Sequence, residues 1–287
     1  MSPRRPVAAL ALVCGLSLTG LTACDLDPAP HPAAAALVAA PGGTASASAS
    51  PSVSPSVTAS APSDSDPLAG RVIVLDPGHQ LGNRHFPRQI AKPVPAGGFI
   101  KPCNTTGTAT DGGYPEATFA WSVARGLRAR LRDLGATVRL TRHSNSDRRW
   151  GPCVDARGRA GNALPADLKI SIHGDGYTVA GAHGFHVIAP TDRRPWTRDI
   201  YRPSLELARK VRTALIDAGF TVANYVAGGD GLDLRSDLAT LNLSDIPTVM
   251  VELGNMRSPE DAAVMTTATG RSRYAEALSQ AVVGFLG

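Results

Sequence analysis

Four side chains in this 287-residue chain have the types and settings that hydrolysis at a zinc ion requires. His79 follows the run Arg71-Val-Ile-Val-Leu-Asp-Pro-Gly, Glu116 opens a helical pattern, His173 ends Lys169-Ile-Ser-Ile-His, and Glu252 ends Val249-Met-Val-Glu. Imidazole nitrogen and carboxylate oxygen both bind zinc in tetrahedral geometry, and a catalytic site leaves its fourth position to a water whose pKa falls to about 7. Two imidazoles and one carboxylate fill the protein's share, so the second glutamate is spare to act as a base.

These residues are positioned by a pattern in which strands and helices alternate. Residues 72–75, 136–141, 168–172, 184–189 and 248–251 read as strands. Residues 116–134 place Phe119, Val123, Leu127, Leu131 and Leu134 on one helical face that ends at Gly135. Residues 155–162, 205–218 and 274–285 read as further helices, the second of them closed by Gly219. The expected fold is therefore a single α/β domain with a twisted, mostly parallel (mixed) β-sheet and helices on both faces. Ligands of such a sheet sit beyond the carboxyl ends of its strands, where His79, His173 and Glu252 all fall.

The other histidines and glutamates have plainer readings. His31 lies in a low-complexity stretch and His143 follows Thr141-Arg142 in a loop, while Glu206, Glu260 and Glu276 sit on solvated helix faces. His183 and His186 are closer rivals because the next strand could bring them to the crevice, and His85 could approach the metal from a flexible insert. A glutamate placed directly after an apolar run such as 248–251 is costly to desolvate unless a site uses it.

The N-terminal region bounds where this chemistry acts. Arg4 and Arg5 precede an apolar run over 7–21 that closes on small residues before Cys24, which reads as a secretory signal (1–23) rather than a spanning helix. The cysteine directly after the small residues resembles a bacterial lipobox, so Cys24 is expected to carry the lipid of an exported lipoprotein on the outer face of the membrane. Residues 24–69 form an Ala/Ser/Pro linker, with no Lys, Arg or aromatic residue from Cys24 to Pro67. Such a segment buries too little apolar surface to offset its ordering entropy. As a coil, its roughly 43 residues span about 35 to 40 Å. Residues 70–287 are long enough for one domain with a sizeable core.

Setting aside Arg4, Arg5, Asp25, Asp27, Asp64 and Asp66 raises the net charge from +5 to +7. That field favours anionic partners such as wall polymers. No helix-turn-helix or aromatic-interleaved basic motif accompanies it, so nucleic acid is not an expected partner. Cys103 and Cys153, an even pair in an exported domain, most simply form a disulfide, with two free thiols as the alternative. Closing a loop of about 50 residues contributes roughly 4 kcal/mol in the chain-entropy model.

The ordered set Leu75-Asp-Pro-Gly-His79, Glu116, Thr141-Arg142, Ala166-Asp-Leu-Lys-Ile-Ser-Ile-His173 and Val249-Met-Val-Glu-Leu-Gly-Asn255 resembles the zinc N-acetylmuramoyl-L-alanine amidases of the amidase type 3 family. The segment from Cys103 to Glu116, with Cys153, is similar to their actinobacterial secreted branch. The resemblance implies that His79, Glu116 and His173 bind one zinc ion and that Glu252 is the catalytic carboxylate. It also implies cleavage of the amide between N-acetylmuramic acid and the L-alanine of the peptidoglycan stem peptide. Separately, the chain is expected to act as a monomer. Two departures stand out: Asp175 in Gly174-Asp-Gly where the family more often has Ala-Asn, and Gln80 in place of a glycine. Other classes remain open as expectations, namely a zinc peptidase on another stem-peptide amide, a latent or non-catalytic wall-binding lipoprotein, and an insert over 81–115 that covers the site.

Overall fold

The computed structural model describes residues 66–287, so the secretion signal, Cys24 and nearly all of the linker lie outside the described residues. The last four linker positions, 66–69, belong in part to the folded body. Leu68 is fully buried, and its N–H donates to the Leu134 carbonyl at 2.9 Å.

One six-stranded sheet organises the domain. Its strands are β1 (Val72–Pro77), β4 (Thr137–Leu140), β5 (Leu168–Asp175), β6 (His186–Pro190), β7 (Leu232–Arg235) and β8 (Thr248–Asn255), in the order β4-β1-β5-β8-β6-β7. The first four in that order are parallel. β6 runs antiparallel to β8, and β7 runs parallel to β6. Because β6 is reversed, its first residue, His186, arrives at the edge where β1, β5 and β8 end.

Side-chain alternation along these strands builds two different faces. Ile170, Ile172, Val249, Val251 and Val187 join the main core with Phe119, Val123, Leu127 and Leu131 of α2 (Glu116–Asp133). α7 (Ala268–Leu286) packs between α2 and α4 (Tyr201–Asp217) on that face. Each large apolar side chain buried there contributes about 1.5–3 kcal/mol relative to exposure. On the opposite face Met250 and Ile188 pack with Leu241 of α5 (Ala239–Asn242), beside α3 (Val154–Arg159). Lys169, Ser171, His173, Glu252 and His186 alternate onto this second face, so the polar groups of the site share one side of the sheet.

The insert over 81–115 has structure of its own. It contains a short 3-10 turn, α1 (Pro87–Ile90) and a hairpin of β2 (Pro93–Pro95) and β3 (Ile100–Pro102). Cys103 and Cys153 are bonded, with Cα atoms 4.3 Å apart. α6 (Pro259–Met265) follows β8, capped by the Ser258 hydroxyl, which accepts from Asp261 N–H.

Candidate metal centre and active site

His79 is held by backbone geometry that costs free energy and is supported from beneath. Its φ of +52° lies in the left-handed region that residues other than glycine seldom adopt. Two buried guanidinium groups grip the carbonyls around it. Arg142 donates to Pro77 O at 2.9 Å and Gly78 O at 3.2 Å, and Arg157 donates to Pro77 O at 2.8 Å and His79 O at 2.5 Å. Arg157 also pairs with Asp76 at 2.6 Å. Burial works against charge on Asp76, yet Arg157 and the hydroxyls of Thr141 and Ser171 outweigh it and hold the carboxyl well below the usual range. Burial, reinforced by Arg157, lowers Arg142 to about 9.

Above this platform two imidazoles meet one carboxylate. Glu116 Oε1 lies 3.1 Å from His79 Nε2 and 2.8 Å from His173 Nδ1, and the rings stand nearly perpendicular with centroids 5.0 Å apart. Ligand atoms of all three lie within 4.8 Å of one another. Glu116 Oε2 accepts from Thr108 N–H at 2.9 Å, and the position of Glu116 at the start of α2 suits a negative charge. His79 Nδ1 faces Thr105 O at 3.2 Å; a proton there leaves the Nε2 lone pair free to ligate, the usual arrangement behind a metal-binding histidine. Burial opposes ionisation of Glu116, but His79 and His173 overcome it and keep the carboxyl low; in return Glu116 raises His79 against its own burial.

Glycine makes this convergence sterically possible at two positions. A Cβ on Gly78 would lie 2.4 Å from His173 Cε1. At Gly107, whose φ is +77°, a Cβ would lie 2.8 Å from Glu116 Oε2 and 2.9 Å from His79 Cδ2.

Glu252 lies beside His173 in the β5–β8 register and opposite His186 in the β6–β8 register. Its Oε2 is buried and has no hydrogen-bond partner among the described residues, as is true of His186 Nδ1. Burial, then the charges of Glu116 and Asp175, push the Glu252 carboxyl well above its ordinary value against the pull of Arg235. A cavity of about 220 Å³ opens at this point, with His79, Thr105, His173, Met250 and Glu252 in its wall.

The four residues singled out by sequence thus meet at one place, and the rivals do not join the ligands. His85 contacts Arg84 and Asp147 at the surface, His183 Nδ1 faces Gly181 O, and His143 is exposed. His186 is buried as the cross-strand register partner of Glu252 and is not among the residues lining the cavity. The disulfide braces the site because Cys103 leads into Asn104 and Thr105, while Cys153 caps α3, which carries Arg157. Asn104 donates to Pro152 O at 2.7 Å across the same junction.

Both departures are absorbed by internal contacts. Gln80 accepts from Arg142 at 3.1 Å and donates to Ser146 O at 3.2 Å; Asp175 accepts from the Tyr225 hydroxyl at 2.8 Å and from Gly176 N–H at 2.6 Å. Sequence reasoning missed Arg157 and Thr105. Nothing local distinguishes Arg157 from the chain's other arginines. Asp76, inside the Leu-Asp-Pro-Gly-His motif, was within reach as a buried acid at a strand end.

Comparison with known proteins gives one consistent result. Residues 73–283 match the family model described as N-acetylmuramoyl-L-alanine amidase. The N-acetylmuramoyl-L-alanine amidase Rv3717 of Mycobacterium tuberculosis is 45% identical over 222 residues, covering 76% of this chain and 88% of that protein. Crystal structures of the N-acetylmuramyl-L-alanine amidase Ami1 are similar as well. The apo form from Mycobacterium abscessus is 44% identical with a TM-score of 0.71, over 77% of this chain and all of that one. The Mycobacterium smegmatis enzyme is 40% identical with a TM-score of 0.71, over 77% and 98%.

Proposed function

This chain belongs to the N-acetylmuramoyl-L-alanine amidase family, and from that premise we propose a zinc-dependent hydrolase that cleaves the amide joining N-acetylmuramic acid to the L-alanine of the peptidoglycan stem peptide. In this reading His79, Glu116 and His173 hold the metal and Glu252 is the general base. The observation that carries it is the convergence of two imidazoles and a carboxylate within 4.8 Å, beside a glutamate with an unpartnered buried oxygen. Nitrogen and carboxylate donors in this number are the set zinc takes when one position is left open.

When bound, zinc would supply Lewis acidity to the scissile carbonyl and acidify the attacking water. The chain's own residues do the rest. Glu252, whose carboxyl is pushed above its ordinary value by burial, accepts the water proton at its carboxylate and returns it to the leaving L-alanine amine. His79, supported by Thr105 and the Arg142–Arg157 clamp, would with Glu116 and His173 hold the metal in the cavity that also carries Glu252. Met250 and Leu238 add apolar surface to the cavity wall that also carries Glu252.

The domain is read as one body carried by an exported lipoprotein, with a signal over 1–23, lipid on Cys24, a tether over 24–69 and the wall as its working place. No helix among the described residues is long and apolar enough to cross a membrane. In this reading the anchor is the lipid on Cys24. Palmitate labelling of the wild type and of Cys24→Ser tests that part, with label lost in the variant.

The central test is mass spectrometry of a defined muramyl-peptide treated with the full chain, with zinc, with chelator and as Glu252→Ala. Release of a peptide beginning with L-alanine, abolished by chelator and by the substitution, is the expected result. A new terminus inside the stem peptide would assign a peptidase instead.

A further inference from the structure

A second, polar depression of about 340 Å³, sharing no lining residue with the 220 Å³ cavity, is lined by Asp111, Tyr177, Thr178, Gly181, Arg257 and Glu260 among others. It continues into a neighbouring hollow of about 310 Å³ that shares Asp111 and Arg257. The trough starts close to the ligands. Thr108, whose N–H holds Glu116, lies against Gly176, and Asp111, three residues on, pairs with Arg257 at 2.7 Å.

Its aromatic wall is fixed in place. Tyr177 is 43% exposed on one face and stacks on Tyr225 on the other, with centroids 4.7 Å apart and planes 7° from parallel. Tyr225 is itself pinned by its hydroxyl bond to Asp175. Asn255, three residues beyond Glu252, donates to Tyr177 O at 2.9 Å and Ala182 O at 2.8 Å, which ties the whole 177–182 loop to β8.

We propose that this trough is a glycan subsite, in which the free face of Tyr177 stacks on an N-acetylated amino-sugar ring of the wall polymer next to the muramoyl residue undergoing cleavage. The inference rests on the amidase reading and names the part of the substrate that lies here. An aromatic face is the negative pole of the ring quadrupole and attracts C–H groups, which a pyranose presents on its flat side. The rim matches the rest of such a ring. Arg257 is already neutralised by Asp111, and Glu260 adds an acceptor, so hydroxyl and amide donors are accommodated while the carboxylates of a stem peptide meet no free cation in the wall. The departure at Asp175 gains a role here as the residue that aims Tyr225, and through it Tyr177.

The test is calorimetric titration of tetra-N-acetylchitotetraose, and separately of an L-alanyl-D-glutamyl dipeptide, into the full chain, Tyr177→Ala and Tyr177→Phe. Stacking of this kind is worth about tenfold in affinity, so Tyr177→Ala should weaken the saccharide by about that factor while Tyr177→Phe stays within about twofold. Dipeptide binding should be the same in all three. In turnover, Tyr177→Ala should raise KM for glycan-chain substrate with kcat retained, and leave KM for a muramyl dipeptide without a neighbouring sugar unchanged. Equal saccharide affinity in the three proteins, no saccharide binding by the wild type, or a loss confined to the dipeptide would each overturn the proposal. Failure of the amidase reading looks different: the wild type would release no peptide beginning with L-alanine from any substrate, whatever the saccharide titrations showed.

Discussion

Around His79 and Glu116 the polar atoms are bonded: His79 Nδ1, both Glu116 oxygens and the carbonyls of Pro77, Gly78 and His79 all have partners. One strand further on, Glu252 and His186 are register partners across β8 and β6, and Glu252 Oε2 and His186 Nδ1 are each buried without a partner among the described residues. A buried polar atom left unpaired costs about 1–3 kcal/mol. In the proposed reading, the ligand half is therefore assembled by the protein alone, whereas the base half is completed by what enters the crevice. A group that must gain and lose a proton is better served by open valences than by saturated ones.

The sharpest way to break this contrast is Glu252→Ala. It should lower kcat by about 10² to 10⁴ while zinc content, read by metal analysis, stays at wild-type level. Loss of zinc in that variant would erase the division between the halves. Arg157→Met attacks the other half from below. Leaving Asp76 buried without its partner should cost about 3–5 kcal/mol, read from the urea midpoint. The same pair contributes to acid sensitivity. Asp76 has a folded pKa below its unfolded value of about 3.9, so its stabilisation is fully present above that value and drains away as pH falls below it. Urea titrations from pH 6 to pH 2 should show this slope in the wild type and a flatter one in Arg157→Met.

A smaller effect is expected from Gly78→Ala, whose new Cβ displaces the His173 ring. Zinc affinity should fall by about 10- to 100-fold, the range for disturbed support of a ligand, measured by competition with a chelating dye. Smallest is Thr105→Val. It removes the hydroxyl 3.3 Å from His79 Nδ1 but keeps the carbonyl, so the loss is about one net hydrogen bond of 0.5–1.5 kcal/mol, less than about tenfold in zinc affinity.

The elements that carry the ligands were readable because their patterns are long or unbroken. α2 repeats apolar residues at helical spacing through Phe119, Val123, Leu127 and Leu131, and β8 opens as a continuous apolar run. α7 and α4 begin earlier than their apolar stripes suggested, at Ala268 and Tyr201. β7 was missed because Leu232-Asp-Leu-Arg is four residues long at a sheet edge, and β2 and β3 because proline bounds both. α6 could have been found, since Ser258-Pro259 followed by Glu260 and Asp261 is a helix start with its cap. Leu68 was assigned to the linker on composition and belongs to the core, because one leucine does not alter the composition of a low-complexity stretch.

The chain's own order of residues determined the chemistry on offer: two histidines and two glutamates at strand ends and a helix start, and an even pair of cysteines. Local patterns suffice there, since strand ends and helix starts are marked by neighbours within a few positions. Only the tertiary structure decided which histidine is paired with Glu252, because His186 depends on β6 running against β8, a pairing made across more than 60 residues of sequence. It likewise decided that Arg142 and Arg157 would between them hold the carbonyls of Pro77, Gly78 and His79, sharing that of Pro77, and that Asp175 would reach Tyr225. Such contacts reward burial and charge at a distance, and sequence neighbours carry no record of them.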